Sequence, residues 1–127
     1  MVLCAVDDLI FSIKISTAAK SLGTPIFFER NPEMVLPRIR EKQPSLVIFD
    51  LNSAKLRPLD VIAAMKADAA LRGIRTLGYV SHVQTDVISA ARAAGIDEVL
   101  ARSAFSDRLG EILTSASARP ASREPAE

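Results

Sequence analysis

Five short apolar runs, each followed by a stretch of helical periodicity, constrain this chain more than any other feature. The runs are Val2–Val6, Pro25–Phe28, Leu46–Phe49, Leu77–Val80 and Val99–Ala101. They mostly lack polar alternation, and continuous apolar runs of this length suit strands buried on both faces of a parallel sheet. After the first run, Ile10, Ile13, Thr17, Ala18 and Leu22 recur near a helical period and predict a core stripe, closed by Gly23. Asn31-Pro32-Glu33 supplies an N-cap, an N1 proline and a first-turn acid for a second helix. Pro37 removes a backbone donor there and predicts a kink or a late start. Pro58 opens a third helix with Leu59, Ile62 and Met65 as its core stripe. Val87, Ile88, Ala91 and Ala94, closed by Gly95, mark a fourth; Phe105, Leu109, Ile112 and Leu113, with Ser103 as N-cap, mark a fifth.

Strand–helix units with short links force right-handed crossovers, so the expected fold is α/β: a doubly wound parallel sheet with helices on both faces. From Ser115 onward the chain is polar and rich in Ala, Ser and Pro, which predicts a disordered tail over 115–127 behind a single domain over 1–114. A chain of 127 residues, 49% hydrophobic and 24% charged, can bury a core without disulfides. Its only cysteine, Cys4, sits in an apolar run and reads as a small core residue in a reducing compartment. A net charge of +1 argues against a nucleic-acid binder. No apolar stretch reaches about 18 residues, so no membrane span is expected. The first residues lack the basic region of a signal peptide, and the expected location is cytoplasmic.

In open α/β sheets, sites form outside the carboxyl ends of the strands. Here the first strand ends in Asp7-Asp8, the third in Asp50, the fourth in Ser81-His82 and the fifth in Arg102-Ser103, while the second ends in Glu29-Arg30 at the sheet margin. If the first and third strands are neighbours, Asp7, Asp8 and Asp50 converge in one acidic pocket. Like charges that close need a cation or a proton between them. A hard divalent ion such as Mg²⁺ suits a shell of carboxylates and water. A carboxylate held beside such an ion, a hydroxyl and a cationic side chain has the makings of a phosphoryl acceptor. Asp7 and Asp8 also have a simpler reading, as caps of the first helix. No Gly-rich phosphate loop follows the first strand, which argues against a dinucleotide-binding enzyme.

These motifs, in this order and spacing, resemble the receiver domains of bacterial two-component response regulators. The likeness runs to about Leu113. Val2–Asp8 looks like the first strand and acidic pair, Pro44–Asn52 like the phosphoacceptor strand, and Gly95–Arg102 like the approach to the family's lysine. The resemblance implies a flavodoxin-like five-stranded sheet of order 2-1-3-4-5 and a signalling role without enzymatic activity. It assigns Asp50 as phosphoacceptor, with Ser81 and Arg102 contacting the phosphoryl group. It implies Mg²⁺, needed only for phosphorylation, held by Asp7, Asp8, Asp50 and the Asn52 carbonyl. Its partners would be a sensor histidine kinase or other phosphodonor, and a downstream protein or second copy on the face made by the fourth helix, fifth strand and fifth helix.

The same likeness exposes departures. Arg102 stands at the lysine position, Ser103 at the proline after it, Val99 at the aromatic switch and His82 at a small residue, and the loop Ser53–Pro58 carries Lys55 and Arg57. His82 on its own reads as a surface histidine. Two functional readings follow. One is an atypical, stand-alone receiver that signals by protein–protein interaction. The other is a pseudo-receiver, an interaction module locked by an Arg102–Asp50 pair. Ala90, Ala91, Ala93 and Ala94 give the fourth helix either a smooth docking face or simply good helix propensity.

Overall fold

The computed structural model describes residues 1–81 and 84–118. Five strands alternate with five helices: β1 (Val2–Ala5), α1 (Leu9–Leu22), β2 (Ile26–Phe28), α2 (Pro32–Lys42), β3 (Leu46–Asp50), α3 (Pro58–Ala67), β4 (Arg75–Val80), α4 (Thr85–Ala94), β5 (Glu98–Ala101) and α5 (Arg102–Ala118). The strands form one sheet of order β2-β1-β3-β4-β5, and every pairing is parallel. Strand order reverses between β1 and β3. Their register, Val2 opposite Leu46 through Ala5 opposite Phe49, brings Asp7, Asp8 and Asp50 out at the same edge of the sheet.

Strand residues alternate between two cores, which is why the strands read as unbroken apolar runs. Leu3, Val47 and Phe49 pack with Ile62 and Met65 of α3 on one face. Cys4, Ile48 and Tyr79 pack with Ile15 of α1 and Phe105 and Leu113 of α5 on the other. Cys4 is fully buried and desolvation pushes its thiol up to about 12, as befits a core residue with no thiolate chemistry. Gly23 and Gly95 close α1 and α4 in the left-handed region, as the helix-ending pattern requires.

Several elements depart from the sequence reading. The buried face of α1 is Phe11, Ser12, Ile15 and Ala19, while Ile10, Ile13 and Leu22 are 72%, 59% and 47% exposed. Thr17 is exposed too. An α1 carrying apolar residues on both sides offers two stripes of similar period, and the aromatic one wins because Phe11 stacks into the core. The second helix starts at Pro32 and runs through Pro37, so it does not begin late. Pro37 faces solvent, where water can satisfy the carbonyl that its missing N–H leaves free. Ser103 is not a cap: α5 starts at Arg102, directly after β5, which places Ser103 inside its first turn. Helix α5 also continues over 115–118, where the tail was expected to begin. Ala116 is 1% exposed, and its carbonyl accepts a hydrogen bond from the Ser45 hydroxyl at 3.1 Å. The rest of the expected tail, 119–127, lies outside the described residues, as does His82. Among the described residues no helix is long and apolar enough to cross a membrane.

Urea unfolding distinguishes the two faces of α1. Ile10→Ser should change stability by less than about 0.5 kcal/mol. Ile15→Ala, at a fully buried position, should cost about 2–5 kcal/mol. The reverse ranking would restore the Ile10–Ile13 stripe to the core.

Candidate functional site

The site lies where β1, β3 and β4 end. Asp8 is the N-cap of α1, its Oδ1 accepting from the Phe11 N–H at 3.2 Å. The capping expectation and the pocket expectation therefore meet in one residue. The other carboxylate oxygen of Asp8 pairs with the Arg102 guanidinium. Asp7, more exposed, lies 3.8 Å from the Lys55 ammonium. Asp50 ends β3 and is only 8% exposed. Its Oδ1 accepts from the Asn52 N–H at 3.0 Å, and none of the ion pairs among the described residues includes it.

Burial holds the Asp50 carboxyl above the ordinary carboxylate value. The Asn52 N–H works against this; the Asp8 and Asp7 charges push the same way as burial, and Arg102 opposes them. Asp50 thus feels both of the other aspartates. The Arg102–Asp50 pair does not form, because Arg102 is spent on Asp8 and lies with its guanidinium 4.6 Å from the Phe11 ring centroid.

Ser81 and Asn52 close the rim. The Ser81 N–H and hydroxyl both donate to Asn52 Oδ1, at 2.6 and 3.0 Å, and the Asn52 amide donates to Gln84 Oε1 at 2.6 Å. The side chain of Asn52 is therefore a clasp between the β3 and β4 ends. Val99 packs at the edge of the α3 core, on the sheet face away from the aromatic stack. A cavity of about 410 Å³ opens beside the clasp, lined by Leu51, Ser53, Arg57, Pro58, Leu59 and Val87 among others. It contains none of the three pocket aspartates and is a neighbour of the site, not the site itself.

Lys55, marked in the sequence only as an unusual loop residue, is drawn back onto Asp7 by the β3–α3 loop. Tyr79 escapes the motif reading altogether. It pairs with Asp50 across the β3–β4 register, stacks between Phe11 and Phe105 at 4.9 and 4.8 Å, and is 1% exposed. Its hydroxyl is buried with no hydrogen-bond partner among the described residues, and burial followed by the Asp50 charge pushes its ionisation up. The signal for it was present: strand alternation puts Tyr79 on the same sheet face as Ser81, and it is the only tyrosine.

This geometry bears on the implied Mg²⁺ site. A divalent ion of that kind wants several free oxygen ligands in a near-octahedral shell. Both oxygens of Asp8 are engaged, Asp7 faces Lys55, and Asp50 is tied to Asn52. Among the described residues no three His, Cys, Asp or Glu side chains are grouped to hold a metal. As arranged, these residues do not fit the ion.

Comparison with solved structures decides the architecture. A response regulator from Hahella chejuensis superposes with a TM-score of 0.82 at 18% identity, over 92% of this chain and 94% of that one. The fold is that of a response-regulator receiver. A putative response regulator from Chloroflexus aurantiacus matches the receiver fold at TM-score 0.80 and 16% identity, covering 93% and 97% of the two chains. The Mn²⁺-bound form of response regulator Rcp1 matches at 0.76 and 17%, covering 98% of each. At these identities the likeness is one of fold. No protein-family model matches the chain, and no curated protein matches it significantly.

Folding raises the affinity of Asp50 for its proton, so the carboxylate penalises the folded state above its raised pKa, and the penalty fades as pH falls toward 3.8. In EDTA, Asp50→Asn should raise Tm by roughly a few degrees near pH 7. That gain should vanish below about pH 4. A gain that grows on acidification would contradict the burial argument.

Proposed function

We propose that this domain is an atypical receiver of a two-component phosphorelay that signals through protein–protein contact, with Asp50 as the phosphoacceptor. The observation that carries this reading is the state of Asp50: a buried carboxylate at the end of a central strand, within the field of Asp8, Arg102 and Asp7, and in no ion pair among the described residues. A carboxylate that is not bound to a cation keeps its lone pairs for in-line attack on a phosphorus atom. An Asp50 oxygen forms the new O–P bond while the donor's leaving atom takes the electrons of the bond that breaks. Arg102 and the Ser81 hydroxyl would meet the equatorial oxygens once their present partners, Asp8 and Asn52, release them. The chain's own part is to position and to neutralise; no turnover chemistry is assigned to it.

The receiver fold supports this reading, and so do the sequence motifs, which put Asp7-Asp8, Asp50, Ser81 and Arg102 at or just beyond strand ends of this sheet. The phosphodonor would be a sensor histidine kinase, which carries a cytoplasmic location with it, or a small phosphorylated donor. A donor protein reaching Asp50 meets a rim of exposed apolar side chains at the start of α1, Leu9, Ile10 and Ile13. Output would leave by the α4–β5–α5 face toward a downstream protein or a second copy. The second reading, a pseudo-receiver, draws on the Arg102–Asp8 pair and the Ser81–Asn52–Gln84 chain, which hold the pocket in one state without phosphate.

Mass spectrometry after incubation with a small acyl phosphate, run with Mg²⁺ and again in EDTA, separates the two. Wild type should gain one phosphoryl group and Asp50→Asn none. An unmodified wild type under both conditions would favour the pseudo-receiver, and a phosphorylated Asp50→Asn would move the acceptor elsewhere.

A further inference from the structure

The carboxylates at this sheet edge are balanced from within the chain. Asp8 gives one oxygen to the α1 cap and the other to Arg102; Asp7 faces Lys55 at 3.8 Å. The two cations arrive from different elements, the β3–α3 loop and the start of α5. Arg102 is further fixed by the Phe11 ring below it, and its Nε is buried without a partner. Beside them the buried Tyr79 hydroxyl, also unpartnered, faces the same group of charges, with Asp50, Asp8 and Arg102 all acting on its ionisation.

We propose that Arg102, assisted by Lys55, is a resident counter-cation that takes the place of a divalent metal, so that the pocket works without Mg²⁺ and refuses it. An ion entering between Asp8 and Asp50 would have to displace a guanidinium from Asp8 while meeting its positive charge at close range. Arginine never deprotonates and offers a planar fork that suits a carboxylate, so its charge is permanent, unlike that of a metal whose occupancy follows its concentration. A lysine in its place would be a flexible point charge with no stack on Phe11 to hold it. The consequence is a pocket whose charge balance does not respond to the supply of divalent ions. This holds whether or not Asp50 is phosphorylated.

The test is direct metal binding, read apart from any phosphoryl transfer. Amide spectra of the full chain are titrated with MgCl₂ to about 10 mM, a range that fills ordinary carboxylate sites. Wild type should show no saturable shift at Asp8, Asp50 or Asn52. Arg102→Ala should show saturable shifts at these amides, with a Kd at least about tenfold lower than any fitted to wild type. Arg102→Gln removes the charge but keeps a polar side chain, and repeats the test should the alanine variant fold poorly. The folded state of each is read from Tyr79 emission, unmixed because the chain has one tyrosine and no tryptophan. Saturable binding by wild type with the variants' affinity would overturn the proposal, and so would variants that bind Mg²⁺ no better than wild type. Failure of phosphorylation with these binding results intact would remove the phosphoacceptor reading alone.

Discussion

Negative charge brought to the end of a parallel sheet has to be balanced, and much of this molecule's local structure follows from how that is done. The β1–β3 pairing brings Asp7, Asp8 and Asp50 to one edge. Burial keeps Asp50 reluctant to ionise and its two neighbours add to that reluctance. The chain answers with a cap bond and a guanidinium on Asp8, an ammonium near Asp7 and a backbone N–H on Asp50. Three of these anchor an element: the cap starts α1, the guanidinium ties α5 to α1, and the Asn52 N–H turns the chain out of β3. Charge balance and local architecture are here the same set of contacts.

How much of this is legible before folding depends on the kind of signal. The strands were legible because both faces of each are covered, so Leu46–Phe49 can only be a central strand. The ends of α1 and α4 were legible from Gly23 and Gly95. The buried face of α1 was not. Ile10 and Ile13 have the right spacing, yet Phe11 and Ile15 have it too, and periodicity cannot choose between two stripes one residue apart. The choice is made by Tyr79 and Phe105, which are distant in sequence and offer an aromatic surface. The meeting of Asp7, Asp8 and Asp50 at one sheet edge was legible from strand ends, but the pairing around them was not: Arg102 could reach Asp8 or Asp50, and the cap at Asp8 and the Phe11 ring beneath the guanidinium favour the first.

Architecture and chemistry are held here by different residues. The receiver fold rests on small and branched apolar side chains in β1, β3 and β4, many of which can exchange for one another without altering the path of the chain. This is how TM-scores near 0.8 accompany identities of 16–18%. The pocket rests on a handful of polar groups for which no such exchange is neutral. Arg102 and Lys55 can therefore stand where the resemblance leads one to expect other residues while the sheet beneath them stays the same.

The junction of β5 and α5 carries one last consequence. Ala101 is the final strand residue and Arg102 the first of the helix, with nothing between them. In most strand-to-helix joints a few loop residues provide slack, and a side chain there can move without moving its backbone neighbours. Arg102 has no such slack. Its Cα belongs to the end of the sheet and to the first turn of α5 together. The Arg102–Asp8 pair therefore joins the end of β5, the first turn of α5 and the cap of α1 at a single point.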